Sequence, residues 1–351
     1  MINYLLLYIL RKLDGDRSPA AAFHILTGKK SSQIVQDTNL FNLEPFLNIL
    51  PNYERLDFNH DIAFLVSKGY LEVLNEKMTR VTKEGIAYLD QHEMARFFNV
   101  FTVSNSNKDR QIFTARFYLT IQTFTYRVMQ QKGFMPVEED VTIQAFVKQI
   151  YKRYNHQLID WLEDCYRFLR EVLEQYPDNM RHIYLDRLST YSGSGASLQQ
   201  LKVQYNMTVS DILLTLAMIE THLMKLSIEN QTILTELLPR SVNQTAIERF
   251  MTRSAIKTYQ LVKKGCTLEE LVEMRQLKRG TIEDHLVEIC ILDPEFRIDS
   301  YVDPLTIKKV MRVISELNTH KLTLIKKALP EDIPYFHVRL VLVKSKEGLT
   351  L

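Results

Sequence analysis

Seven side chains in the last third of the chain are of the types that hold a nucleic-acid backbone: Lys263, Lys264, Arg275, Lys278, Arg279, Thr281 and His285. The five cations suit phosphates, and Thr281 and His285 can reach a backbone oxygen or a base edge. No other chemistry finds such a grouping. The nine histidines are scattered, with no H-x-x-x-H pair and no carboxylate–histidine cluster of metal-ligand spacing. There is no G-x-S-x-G and no glycine-rich nucleotide loop. Gly28-Lys29-Lys30-Ser31 shares the end of a phosphate-loop pattern. Its first glycine is missing, however, and a helix precedes it where a strand is needed, so it reads as an exposed basic turn. Glu138, Glu139 and Asp140 stand at a helix start, where the macrodipole favours acids, and nothing nearby makes them an acid–base pair. Cys165, Cys266 and Cys290 are odd in number and far apart, which fits neither a disulfide framework nor a metal site and suits a reducing cytoplasm. The expectation is a protein that is not an enzyme, with no catalytic residue, no metal and no cofactor.

The seven residues lie in and around Gly265–Cys290, and that stretch must position them. Thr267 can cap a short helix with Leu268, Leu271 and Met274 on one face. A turn follows at Gln276–Lys278, and a second helix from Gly280–Thr281 buries Ile282, Leu286 and Ile289. Two short helices joined by a tight turn, with inner faces apolar at these offsets, make a helix-turn-helix whose second helix offers its outer face to a DNA major groove. That face carries Glu283, Asp284 and Glu288, which repel phosphates, and Val272 and Gln276 occupy places where such units often have a small residue and a glycine. A helical hairpin that only packs, or that binds protein, is the competing reading.

The rest of the chain is largely helical. With 351 residues it is long for one core, and only ten glycines and ten prolines interrupt it. The net charge of +2 gives no global basicity, so any nucleic-acid signal is local. Helical patterns cover Ile2–Leu13, Pro19–Leu26, Ser31–Asp37, Leu43–Leu50 and Phe58–Lys68. The apolar run Tyr4–Leu10 is too short to span a bilayer and reads as a buried first helix. Gly69, strands Tyr70–Leu74 and Met78–Thr82 about a turn at Asn75-Glu76-Lys77, and a helix from Thr82 to about Phe97 form a wing. The polar run at 103–110 and Pro239–Asn243 mark boundaries. Between them Ile112–Gln130 carries a core stripe of aromatics, Leu158–Tyr176 has one apolar face with Trp161 as a partly buried anchor, and Tyr191–Ser197 is a loop. Ser197–Glu220 repeats the outline of the central stretch, but its second helix, Ile212–Met224, is too apolar outside to read a groove and belongs to a core. Thr245–Lys264, Thr306–Leu317 and His320–Ala328 are further helices, and Pro334–Val343 is a helix or strand. From Asp303 onward cations outnumber acids. The fold expected is mainly α: a winged-helix-like domain with a small β-hairpin over 1–102, a central helical domain over 103–240 and a helix-turn-helix domain over 241–351.

Ser254, Thr258, Leu261, Gly265, Thr267-Leu268-Glu269-Glu270-Leu271, Arg275, Leu277, Thr281-Ile282, His285-Leu286, Pro334-Tyr335 and Val338-Arg339-Leu340 together resemble the helix-turn-helix module at the C-terminus of some RecQ-type DNA helicases. With Arg17-Ser18, His24-Ile25-Leu26, Gly28-Lys29-Lys30-Ser31, Gln33 and Gln36-Asp37, the whole chain resembles the YpbB-like helix-turn-helix proteins of Gram-positive bacteria. The resemblance implies a non-catalytic accessory protein of a RecQ-like helicase, supplying a module for partner and duplex or junction DNA in repair and recombination. It implies a cytoplasmic, nucleoid-associated protein with no membrane and no small-molecule substrate. No helicase motif is present, so any ATPase is the partner's. Two other readings stand beside it: a winged-helix transcriptional regulator, and a protein-binding adaptor with no DNA affinity of its own.

Overall fold

The computed structural model describes residues 1–75, 78–91, 94–101, 107–131, 133–239, 251–319 and 321–346. Among these the chain is mainly α, with one antiparallel hairpin. The first part holds α1 (Ile2–Leu13), α2 (Pro19–Thr27), α3 (Ser32–Leu40), α4 (Arg55–Ser67), β1 (Leu71–Asn75), β2 (Met78–Val81), α5 (Lys83–Gln91) and α6 (Ala95–Phe98). The middle holds α7 (Asn107–Val128), α8 (Val141–Tyr154), α9 (Leu158–Leu173), α10 (Asp178–Arg187), α11 (Leu198–Tyr205) and α12 (Val209–Glu229). The last part holds α13 (Arg253–Val262), α14 (Leu268–Arg275), α15 (Arg279–Leu292), α16 (Pro304–Leu317), α17 (Leu322–Ala328) and α18 (Tyr335–Lys346). Expectations at Glu76-Lys77, at 103–106, at 240–243, at 245–250 and at His320 lie outside the described residues.

The contacts group the chain into two compact units, neither continuous in sequence. One is 1–11, 26–28 and 45–243; the other is 12–25, 29–44 and 244–351. The segments 12–25 and 29–44, counted in sequence with the first domain, cluster with the C-terminal part.

In the first unit, α4 stops at Gly69, whose φ of +72° an L side chain rarely adopts. The hairpin pairs Leu71 with Val81 and Glu72 with Arg80, and Thr82 then caps α5 through the Gly85 N–H (3.1 Å). A Cβ on Gly85 would stand 2.4 Å from the Tyr70 carbonyl oxygen, so only glycine lets α5 close on the hairpin. The helix expected over Leu43–Leu50 is only a 3₁₀ turn, Glu44–Phe46, because Pro45 removes a donor and biases the residue before it away from helix. Phe113, Phe117 and Phe124 are buried as a core stripe. Trp161 is fully buried rather than half-buried, edge-on to Phe124 with centroids 4.9 Å apart. At the centre runs α12, with Leu214, Met218 and Ile219 at 0% exposure.

The pair α11–α12 has the helix-turn-helix outline read from its sequence. Ser197 and Gln200 form a reciprocal capping box, Asn206 turns through φ +49°, Thr208 caps the next helix, and the two axes differ by 105°. The box and the left-handed turn recur at Thr267, Glu270 and Gln276, each seventy residues later with no insertion, and the N-cap position of the next helix falls on Lys278, which does not cap it. Buried Leu201, Ile212, Leu216 and Ile219 match Leu271, Ile282, Leu286 and Ile289. One local code, a box, a left-handed residue and an i, i+4, i+7 apolar stripe, thus produces both corners. No single helix among the described residues is long and apolar enough to cross a membrane.

Candidate nucleic-acid interface

The second unit is built around α15, which packs against α13, α14, α18 and α3. α13 starts at Thr252, whose hydroxyl accepts the Ala255 N–H (3.3 Å). α14 starts with a box in which Thr267 N–H donates to Glu270 (2.7 Å) and Glu270 N–H donates to Thr267 (3.3 Å). The Thr267 N–H, with the Thr267 hydroxyl donating as well (3.1 Å), holds the Glu270 carboxyl below its usual range. α14 ends at Gln276, φ +51°, and α15 begins after Lys278, whose side chain makes no capping bond. The first N–H groups of α15 therefore have no side-chain acceptor. Lys278, Arg279 and Gly280 are all exposed there, and a Cβ on Gly280 would meet nothing within 4 Å. An uncapped helix start with cations and open space is suited to an anion.

The seven residues picked from sequence divide into three sets. Lys278, Arg279 and the half-exposed Thr281 share the start of α15. Arg279 is bonded to Glu269 (3.1 Å) and Glu283 (3.2 Å), both contacts at the surface. Lys263 and Lys264 are exposed at the other end of α14, with the Lys263 ammonium 4.9 Å from the Tyr259 ring centroid. Arg275 and His285 face inward. The Arg275 guanidinium donates to the Ser254 carbonyl (2.9 Å) and to the Thr258 hydroxyl (2.6 Å), and Thr258 shares a hydrogen bond with His285 Nδ1 (2.9 Å). His285 is 3% exposed, and burial with the nearby Arg275 charge holds its imidazole below the ordinary pKa. These two residues lock α13, α14 and α15 together. As placed, His285 cannot touch a backbone.

The structure corrects two expectations about the second helix. Its outer face is not free to enter a groove: no residue from Thr281 to Leu292 is exposed, because α3 and α18 cover that side. Nor is that face a row of solvated acids. Glu288 is 0% exposed and accepts hydrogen bonds from the Thr252 N–H (2.5 Å), the Thr252 hydroxyl (3.1 Å) and the Ser32 hydroxyl (3.1 Å). Burial pushes its carboxyl above the usual range, against the pull of those bonds. Asp284 is paired with Arg339 (2.6 Å) and Glu283 with Arg279. Much of the C-terminal basic excess is likewise engaged. Lys344 donates to the Pro294 carbonyl (2.8 Å), Lys346 to the Asn39 and Leu40 carbonyls (2.6 Å each), and Lys321 to Asp14 (2.5 Å). Lys308, Lys309 and Lys327 remain exposed.

Sequence reasoning missed Ser32, Thr252, Thr258 and Glu288 as the framework of the site. Thr252, three residues before the buried Ala255, carries a cap signal. The inward turn of Glu288 has no local signal, since its partner Ser32 is 256 residues away.

Residues 254–342 match a family model described as a helix-turn-helix domain. The whole chain is similar to Protein YpbB of Bacillus subtilis (strain 168), with 26% identity over 350 residues, 98% of each chain. No solved structure matches it.

Proposed function

We propose that this chain binds DNA through the start of α15, gripping phosphates with Lys278, Arg279 and the uncapped helix N-terminus, with Thr281 beside them. Lys263 and Lys264 extend the contact from the far end of α14, about 12 Å away along an eight-residue helix. One observation carries the reading: within a helix-turn-helix family domain, the only exposed part of the second helix is its cationic, uncapped first turn. The grip is therefore on the backbone, and base recognition by a helix laid along the groove is not part of it. Arg279 can exchange its two surface carboxylates for a phosphate cheaply, since exposed ion pairs contribute only about 0–1 kcal/mol. The protein then serves as a non-catalytic accessory of a RecQ-like DNA helicase at the nucleoid, in repair and recombination. The resemblance of Ser254–Leu340 to the C-terminal module of such helicases supports that role.

The test is a salt-titrated binding series with duplex and forked DNA, with and without the host's RecQ-like helicase. Removing both charges in Lys278→Ala/Arg279→Ala should weaken binding and lower the salt slope by about two, at about 0.9 per phosphate contact. An unchanged slope removes this site. The enclosure of α15 by α3 and α18 favours one alternative, a protein adaptor without DNA affinity. It predicts a stable helicase complex and no DNA binding near physiological salt.

A further inference from the structure

Within the second unit, α3, α15, α17 and α18 do not meet tightly. They enclose a cleft of about 260 Å³, larger than the roughly 150 Å³ engineered cavity that takes up benzene. One wall is apolar, formed by Val287, Ile291, Leu342 and Val343. The opposite wall is polar and unevenly satisfied. Asp37 is spent, because its Oδ1 accepts from Arg17 (2.9 Å) and from Gln33 (2.8 Å). Two buried donors lining the cleft have no acceptor: Gln36 Nε2 and Arg339 Nε. Lys346 stands at the same cleft with its ammonium held by backbone carbonyls and the Asn42 side chain, so its charge forms no ion pair among the described residues. Unpaired buried N–H groups cost free energy until an acceptor arrives, and an acceptor with negative charge satisfies the donors and Lys346 together.

We propose that this cleft binds a small carboxylic acid with an apolar body, such as a medium-chain aliphatic acid. The carboxylate faces Gln36, Arg339 and Lys346, and the tail lies on Val287, Ile291 and Leu342. Because Gln36 belongs to α3 and the apolar wall to α15 and α18, the ligand pins α3 onto the helix-turn-helix. The site is separate from the start of α15, so it stands or falls independently of DNA binding.

The test titrates the full chain calorimetrically with octanoate, octanamide and acetate, alongside thermal denaturation and hydrogen exchange of α3. The expected result is one octanoate per chain, at least tenfold weaker binding of octanamide, no binding of acetate, and slower exchange in α3 with octanoate. Gln36→Leu removes an unsatisfied donor, so its Tm without ligand should equal or exceed the parent's while octanoate affinity falls at least tenfold. Val343→Phe, which fills the cleft, should also abolish binding. Three results overturn the proposal: no saturable site at millimolar octanoate, octanamide binding as well as octanoate, or octanoate affinity unchanged in both variants.

Discussion

Glu288 shows how far a residue's surroundings override its type. A carboxylate on the outer face of a recognition helix repels DNA; the same carboxylate at 0% exposure, accepting three hydrogen bonds, ties the starts of α3 and α13 to the middle of α15. Glu288→Ala leaves the Thr252 N–H and two hydroxyls without their acceptor and should destabilise the second unit by about 2–4 kcal/mol in urea unfolding. Glu288→Gln, which keeps one oxygen acceptor, should cost less. The Thr258–His285–Arg275 lock makes a prediction about pH. Folding holds the His285 imidazole below its ordinary 6.5. The unfolded chain thus binds the proton more readily, so the contribution of His285 to stability is intact above about pH 6.5 and is lost as pH falls through the folded value. Glu288 has the opposite sign, its contribution being full below 4.5 and lost as pH rises through its raised folded value. The two are separated by following the His285 ring by NMR, which should titrate below the free imidazole value. Comparing stability curves of the parent and His285→Gln, the variant should lose less stability between pH 6.5 and 5. A His285 resonance titrating at or above 6.5 would contradict the inward placement.

Each corner helix pair carries its instructions in its own sequence, and that is why it was legible. Thr267 three residues before Glu270, and Ser197 three before Gln200, announce a capping box; leucines and isoleucines at helical spacing announce the buried face. The hairpin was legible for the same reason, with Gly69 before it and two short apolar-containing runs, Leu71–Asn75 and Met78–Val81, set about a polar turn. What was not legible depends on cover from far along the chain. Nothing near Glu288 distinguishes an outward side chain from one met by Ser32 of α3, which comes from the other end of the sequence, and nothing near His285 announces the Thr258 and Arg275 that turn it inward. The corners also allow a paired test of backbone strain. Gln276 and Asn206 both sit at positive φ, +51° and +49°. A left-handed residue with a Cβ costs roughly 1–2 kcal/mol, less for asparagine, whose side chain bonds locally. Gln276→Gly should therefore raise the unfolding free energy of the second unit by about 1 kcal/mol, whereas Asn206→Gly should change the first unit by a few tenths at most. Equal effects at the two sites would show that the turn conformation is not what limits them.

The two units share a chain that passes back and forth between them, since the second is assembled from 12–25, 29–44 and 244–351. Its folding needs contacts between residues about three hundred positions apart, such as Lys346 on the Asn39 carbonyl, and such closure is slow and entropically costly. The family match over 254–342 takes in the corner helices but omits α3. A fragment spanning 244–351 tests whether the match is also a folding unit. Without α3 it exposes Val287 and Ile291, leaves Glu288 with one partner fewer and strips Lys346 of its carbonyl acceptors. Fully burying two aliphatic side chains is worth about 3–6 kcal/mol, at roughly 1.5–3 kcal/mol each. The fragment should therefore unfold at lower urea than the second unit does in the full chain and bind a hydrophobic dye. A synthetic peptide covering 29–44, added in trans, should restore stability in a saturable way, and the same peptide carrying Ser32→Ala should restore less of it, because it cannot reach Glu288. A fragment already as stable as the intact unit, and indifferent to the peptide, would mean that α3 rests on α15 without holding it. Lys278 and Arg279 are exposed and Ser32 of α3 bonds to Glu288, more than two turns further along α15, so the fragment should keep whatever DNA affinity resides in those two cations under conditions where it stays folded.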